Sequence, residues 1–150
     1  MKIGLASDHA GFPLKKGAIA YLQENGIAYF DYGSAEGEKV DYVDYAEKAI
    51  GGYRAGECDR LILMCGTGIG MAMVANKFKG IRATLCCDEY MAEMSRAHNN
   101  SNCLTMGGRI LPVDEGVFIV KTWVETEYEG GRHQARLDKI AKIEDKNFKA

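Results

Sequence analysis

Cys65 stands between an apolar run and a glycine-rich loop, a position in which a thiol can act as a base or a nucleophile. Leu61–Met64 precede it, and it is followed by Gly66-Thr67-Gly68-Ile69-Gly70 and then by residues of good helix propensity. This pattern predicts a buried strand, a tight loop and the first turn of a helix. Glycines let a ligand approach the backbone, and a helix N-terminus attracts negative charge and lowers thiol pKa values. We therefore expect an anion site beside a reactive thiol.

Two other interpretations of the same stretch compete with this one. A cysteine at a strand end is commonly a small buried hydrophobic residue. A glycine loop can also bind a nucleotide, but the G-x-G-x-G spacing here differs from the dinucleotide pattern G-x-G-x-x-G, and no Lys-Ser/Thr pair of a P-loop follows. The combination of thiol and loop favours a small anion over a nucleotide.

Four further groups of polar residues have types suited to binding or acid–base chemistry. They are Asp8-His9, His98-Asn99, Gly107-Gly108-Arg109 and the pair Arg132 and Arg136. The two arginines are four residues apart, so one helix face would present both to a phosphate. Three of the groups also have a plain structural interpretation: Asp8-His9 as a helix cap, His98-Asn99 as a helix stop and the arginine pair as a solvated basic face.

The elements that must position these residues alternate regularly between strand and helix. The strands are expected at 2–7, 27–32, 61–65, 81–86 and 102–106, and the helices at about 13–25, 41–54, 69–77, 88–98, 112–124 and 132–146. This order predicts an α/β fold, a three-layer α/β/α sandwich with a five-stranded parallel Rossmann-like sheet. We expect one domain over residues 1–150, with the last helix packing on that domain or on a partner subunit.

Parallel sheets bind ligands beyond the carboxyl ends of their strands. This rule brings together Asp8, Cys65 with its loop, Asp88 and Arg109, which all follow strands. His98-Asn99 ends a helix instead, so it is expected at the opposite edge of its own sheet. It would reach the site through a long loop or from a second subunit.

The composition excludes several classes of function. A net charge of −2 over 150 residues favours no nucleic-acid partner, and no stretch is apolar enough to span a membrane. Five cysteines without a C-x-x-C pair indicate reduced thiols rather than a disulfide framework or structural zinc. The short apolar start predicts no signal peptide and hence a cytoplasmic protein. Met71, Met73, Met91 and Met94 are expected to fill the core.

Several ordered motifs together resemble the ribose-5-phosphate isomerase B family, which includes galactose-6-phosphate and allose-6-phosphate isomerases. The resemblance covers essentially the whole chain. The motifs are 4–12 (GLASDHAGF), 41–46 (DYVDYA), 65–70 with 75–77 (CGTGIG and ANK), 97–102 (AHNNSN) and 107–109 (GGR).

The resemblance implies interconversion of an aldose phosphate and a ketose phosphate without a metal or cofactor, as in the pentose phosphate pathway. Cys65 would be the base, Thr67 and the amides of Gly66, Gly68, Ile69 and Gly70 would stabilise an enediolate, and His98 would assist opening of the sugar ring. Asp8 and Asn99 would hold hydroxyls or the ring oxygen. His9, Arg132 and Arg136 would bind the phosphate with Arg109 near the substrate, in a site shared by two subunits of a homodimer or a dimer-based oligomer.

One branch of the family uses a glutamate just after the last glycine as its base and lacks the cysteine. Met71 occupies that position here, which indicates the cysteine branch. A hexose-6-phosphate isomerase, a cysteine hydrolase or thiol redox protein, and a non-catalytic sugar-phosphate sensor remain as alternatives.

Overall fold

The structure, a computed structural model, describes residues 1–148. The strands are β1 (Lys2–Ser7), β2 (Ala28–Asp31), β3 (Arg60–Cys65), β4 (Ala83–Leu85) and β5 (Cys103–Gly107). The helices are α1 (Phe12–Glu24), α2 (Tyr42–Arg54), α3 (Ile69–Ala75), α4 (Glu89–Ala97), α5 (Val113–Glu125) and α6 (Arg132–Asn147). Each of the first five helices follows the strand of the same number, which confirms the predicted α/β class.

The five strands form one parallel sheet in the order β2-β1-β3-β5-β4. β3 occupies the centre, with Met64 in register with Ser7 of β1 and Cys65 in register with Gly107 of β5. The loops that follow these three strands therefore leave the same edge of the sheet side by side.

Two apolar layers cover the faces of the sheet. The layer under α1, α4 and α5 contains Leu22, Ala92 and Trp123, and the layer under α2 and α3 contains Ile50 and Met71. Burying each large apolar side chain of this kind stabilises the fold by roughly 1.5–3 kcal/mol. The two layers fix the central strand and therefore the position of the loop that follows it.

Two aspartates start the helices that the sequence assigned to them. Asp41 accepts a hydrogen bond from the amide of Val43 at 2.9 Å, and Asp88 accepts one from Met91 at 2.7 Å. An N-cap of this type stabilises a helix by about 1 kcal/mol. The caps explain why α2 and α4 begin where the sequence predicts.

Three expectations about local structure were wrong. β4 is three residues long rather than six, because the amide of Arg82 donates to the side-chain oxygen of Asn102 at 2.7 Å instead of to a neighbouring strand. Met73 and Met91 are 63% and 42% exposed, so neither is core. Val43 precedes Ala46 and Ile50 at helical spacing, which predicts that it faces inward on α2, but it is 38% exposed.

α6 lies mostly outside both layers. Its buried residues are His133 and Leu137. Towards its end Glu144 accepts a hydrogen bond from the amide of Gly80 at 3.2 Å, and Asp145 pairs with Lys79 at 2.7 Å. These contacts hold α6 beside the segment that joins α3 to β4. No helix within residues 1–148 is long and apolar enough to cross a membrane.

Candidate active site

Cys65 ends β3 and is 5% exposed, at the base of a cleft. The amide of Gly68 donates a hydrogen bond to its sulfur at 3.2 Å. Gly68 has φ +79°, and a Cβ at this position would lie 2.6 Å from the side chain of Leu85. A glycine is therefore required for the loop to curl back over the thiol.

The loop after Cys65 presents unpaired donors, as an anion site requires. Among residues 1–148, the amides of Gly66 and Thr67 have no hydrogen-bond acceptor. The exposed Thr67 hydroxyl accepts from the amide of Ile69 at 3.3 Å. Donors held in fixed positions before a ligand arrives are suited to stabilising charge that develops during a reaction.

The loop after β5 is bonded to the loop after β3. The amide of Gly108 donates to the carbonyl of Cys65 at 2.8 Å, and that of Arg109 donates to Gly66 at 2.9 Å. These bonds bring the Arg109 side chain to the cleft, as its position just after a strand predicted.

Asp8 is 7% exposed and organises the loop after β1. One of its carboxylate oxygens accepts hydrogen bonds from the amides of Ala10 and Gly11, both at 2.9 Å. Asp8 also lines the cleft. His9, its neighbour, is exposed and does not line the cleft.

The cleft has a volume of about 410 Å³. Its lining residues are Asp8, Tyr42, Cys65, Gly66, Thr67, Ile69, Gly70, Met73 and Arg109. Seven of these were expected in the site from the sequence. Tyr42 lies in the 41–46 motif but had no assigned role, and Met73 was expected in the core. Tyr42 is the first residue of α2. Its place in the site could have been predicted, because a helix that follows a parallel strand begins near the carboxyl edge of the sheet, where the cleft lies. Gly68, also expected in the site, is buried within the loop and does not line the cleft.

His98, Asn99, Arg132 and Arg136 are not among the residues that line this cleft. His98 caps the C-terminus of α4, just before β5 enters the sheet at its amino edge. Since the six residues of β3 alone span roughly 16 Å, the two groups lie at opposite edges of the sheet. Asn99 lines a separate groove between β4 and α6 together with Leu137.

The second group is centred on two histidines. The rings of His98 and His133 stack with centroids 4.1 Å apart and planes inclined by 12°. Nε2 of His133 accepts a hydrogen bond from Nε of Arg132 at 3.4 Å. Burial, together with the positive charges of His98, Arg132 and Arg136, lowers the pKa of His133 below its ordinary value, against the opposing effect of Glu129.

His98, Glu129 and His133 also offer three possible metal-ligand atoms within 4.8 Å of one another. An imidazole lone pair lies in the plane of its ring, so two imidazoles can bind one ion only if both ring planes pass through it. The rings of His98 and His133 are nearly parallel and stacked, so their planes do not meet at a common ion. The guanidinium of Arg132 adds positive charge beside them. This arrangement suits the handling of protons better than the binding of a cation.

The remaining buried thiols are unsuited to nucleophilic chemistry. Burial raises the pKa of Cys58, Cys86 and Cys103 above the ordinary value of a thiol. Cys87 is exposed but lies outside the cleft. Among the five cysteines, Cys65 alone lies beside the loop donors.

The fold and the cleft define an α/β protein with a thiol and a glycine-rich loop of unpaired amides at the carboxyl edge of its sheet. Comparison with known proteins is more specific: the Ribose/Galactose Isomerase family profile matches residues 3–140. The chain belongs to this family and is an isomerase, which confirms the resemblance drawn from the motifs.

Individual relatives match along nearly the whole chain. The chain is 43% identical to ribose-5-phosphate isomerase B of Escherichia coli over 143 residues, covering 95% of this chain and 96% of that protein. It superposes on the structure of ribose-5-phosphate isomerase B from Clostridium thermocellum with a TM-score of 0.94 at 46% identity, covering 98% and 99% of the two chains. It is also 37% identical to D-erythrulose-4-phosphate isomerase of Pectobacterium atrosepticum over 145 residues, 96% of this chain and 95% of that protein.

Proposed function

We propose that this isomerase interconverts D-ribose 5-phosphate and D-ribulose 5-phosphate through a cis-enediolate, with Cys65 as the base. The observation that carries the proposal is the cleft itself, in which Cys65, the donors of its loop and Arg109 meet. The names of the Escherichia coli and Clostridium thermocellum relatives support the choice of substrate. The protein acts as a single domain, in the cytoplasm and in the pentose phosphate pathway.

Ring opening comes first, because the furanose has no free carbonyl. His98 takes the proton of the C1 hydroxyl, the bond between C1 and the ring oxygen breaks, and the ring oxygen takes a proton from water. The hydroxide that remains then takes the proton from His98, which restores the neutral imidazole. Asp8 and Asn99 hold the hydroxyls and the ring oxygen during this step. General acid–base catalysis of this kind contributes roughly 10²–10⁴-fold to a rate.

Proton transfer follows on the open aldose. The Cys65 thiolate removes the C2 proton, the electron pair forms a C1=C2 double bond, and O1 becomes the oxyanion of the enediolate. The loop amides and the Thr67 hydroxyl donate to this oxyanion. The thiol then returns the proton to C1, while the proton of the C2 hydroxyl moves to O1 and leaves a carbonyl at C2.

The phosphate is bound remote from the reacting carbons by His9, Arg132 and Arg136. Guanidinium groups suit a doubly charged phosphate through charge-assisted hydrogen bonds. Binding energy obtained there positions C1 and C2 over the thiol. Arg109, in the cleft, contacts the substrate nearer its reacting end.

The protein acts as a homodimer or a dimer-based oligomer whose sites are completed across the interface. The support is the separation of the two groups of residues, since His98 lies at the sheet edge opposite Cys65 within one chain. Ile69 and Met73 are 52% and 63% exposed at the mouth of the cleft, where a second copy would cover them. In such a dimer the partner subunit's His98 faces the cleft of Cys65.

Co-expression of Cys65→Ala and His98→Ala chains tests the shared site. A mixed dimer carries one site with both natural residues and one with neither, so random pairing restores about a quarter of wild-type turnover of ribose 5-phosphate. Activity no greater than that of the two variants prepared separately would contradict a shared site.

A second substrate class is supported by the family itself, which includes the erythrulose 4-phosphate enzyme. One carbon more or less changes mainly the distance between the phosphate and the base, so hexose 6-phosphates are the main alternative. Comparing kcat/KM on ribose 5-phosphate, allose 6-phosphate, galactose 6-phosphate and erythrose 4-phosphate decides between them. A higher value on any of the last three would displace ribose 5-phosphate as the preferred substrate.

A further inference from the structure

His98 ends a helix and is only half-buried, so its own packing does not fix its ring. It is the C-cap of α4, its side chain is 35% exposed, and Asn100 two residues later has φ +45°. A histidine that takes a proton from a substrate must be held in one orientation. Two neighbours outside the motifs singled out from the sequence meet this requirement.

His133 supports one face of the His98 ring. Its side chain is 6% exposed, and its ring lies parallel to that of His98 at 4.1 Å. Because burial and the surrounding positive groups lower its pKa, His133 stays neutral near neutral pH. A neutral ring offers a packing surface and does not repel the positive charge that His98 acquires when it takes a proton.

Glu129 supplies the countercharge and is tied to the same turn. Its backbone amide donates to the carbonyl of Ala97 at 3.0 Å, the residue immediately before His98. One of its carboxylate oxygens lies 3.8 Å from Nε2 of His98 and 3.5 Å from Nε2 of His133. The carboxylate is thus held where an imidazolium at His98 would form.

We propose that Glu129 and His133 are positioning residues for ring opening: His133 fixes the plane of the His98 ring, and Glu129 stabilises its protonated form. The inference rests on the proposed function, in which His98 opens the furanose. Neither residue touches the atoms that exchange a proton at Cys65. His133 also accepts a hydrogen bond from Arg132, a proposed phosphate ligand, so the effect on ring opening alone is measured at saturating concentrations of each sugar phosphate.

This separation of roles is measurable because the two sugars differ in chemistry. Ribose 5-phosphate is a furanose and must be opened. Ribulose 5-phosphate cannot close a five-membered ring, since its O5 carries the phosphate. Exchange of its C1 protons with deuterated water therefore reports proton transfer at Cys65 without ring opening.

The experiment measures both reactions for wild type, Glu129→Gln, His133→Ala and His133→Phe. We expect Glu129→Gln and His133→Ala to lower kcat on ribose 5-phosphate about tenfold or more, while C1 exchange from ribulose 5-phosphate stays within twofold of wild type. His133→Phe, which keeps a stacked ring, recovers most of the loss. Glu93→Gln, at an exposed position on α4, is the matched control and changes neither reaction.

The outcomes that would overturn the inference are distinct. Equal losses in both reactions would show a general structural role, and unchanged turnover of ribose 5-phosphate would show that the two residues do not position His98. Absence of C1 exchange in the wild type itself would overturn the proposed function and, with it, this inference.

Discussion

The amide of Gly68 lies 3.2 Å from the sulfur of Cys65 and donates a hydrogen bond to it, so the loop is bonded to the thiol that precedes it. The sulfur is thereby fixed at the base of the cleft, close to the unpaired amides of Gly66 and Thr67. A base that moves one proton between adjacent carbons must keep its position while the carbonyl oxygen above it gains and loses charge. The loop holds the sulfur in place and also supplies donors for the charge on that oxygen.

Alkylation with iodoacetamide should distinguish the thiols. Cys65, in the cleft, and the exposed Cys87 are expected to react, whereas burial raises the pKa of Cys58, Cys86 and Cys103 and protects them. Mass spectrometry should show inactivation proceeding with modification of Cys65 and slowed by ribose 5-phosphate. A Cys87→Ser variant should be active and inactivate at the same rate. Inactivation that proceeds with modification of Cys87 instead would contradict the assignment of Cys65 as the base.

The loop backbone should tolerate no side chain at Gly68. In Gly68→Ala the new methyl would meet Leu85 at 2.6 Å and the backbone of Met106 at 2.8 Å. Gly80→Ala is the matched control, since Gly80 also has a positive φ, +84°, but has open space around it. We expect the control to lose about 1–2 kcal/mol of unfolding free energy with activity retained, and Gly68→Ala to lose more together with its activity. Equal effects in denaturant titrations and assays would contradict the close-packed loop.

Removing Arg136, a proposed phosphate ligand, should affect phosphorylated substrates selectively. A hydrogen bond to a charged group contributes about 1.5–3 kcal/mol, so Arg136→Ala should raise KM for ribose 5-phosphate roughly 10–100-fold. Turnover of unphosphorylated ribose should hardly change. Lys139→Ala, which removes an exposed charge from the same helix, serves as the control. Equal losses on both sugars would remove Arg136 from the phosphate site.

His133 should make stability depend on pH. Its pKa is lowered from about 6.5 in the folded chain, so the unfolded chain binds more protons there in acid. The stabilisation of the fold by the neutral His133 side chain is therefore complete above about pH 6.5 and decreases as the pH falls below that value. Urea unfolding at one protein concentration should show wild type losing stability relative to His133→Phe between about pH 7.5 and 5.5. A difference that does not vary with pH would contradict a neutral buried His133.

Much of the fold followed from local sequence signals. The apolar run before Cys65 marks the end of a strand, and Pro13, Asp41 and Asp88 stand at predicted helix starts that the structure confirms. Strand order was not predictable, because insertion of β5 between β3 and β4 depends on packing between distant segments. The short β4 has a similar cause, since Asn102 competes for the amide of Arg82.

The candidate site was predictable where residues adjoin strand ends and less so elsewhere. Cys65, its loop, Asp8 and Arg109 follow strands that the sequence identified, and the structure brings them together. Asp88 was expected with them, but it caps α4 and does not line the cleft. Met73 was expected in the core because methionine is usually buried, but it lies exposed on α3 at the cleft. Glu129 and His133 gave no signal, since their contact with His98 depends on how α6 returns to the C-terminus of α4.

Proton exchange in deuterated water tests the role of Cys65 most directly. Wild type, Cys65→Ala and the control Cys87→Ala are incubated with ribose 5-phosphate and followed by NMR at C1 and C2. We predict that wild type and Cys87→Ala form ribulose 5-phosphate with solvent deuterium, and that Cys65→Ala binds the sugar phosphate but neither exchanges nor converts it. Exchange by Cys65→Ala at the wild-type rate would contradict the assignment of the base.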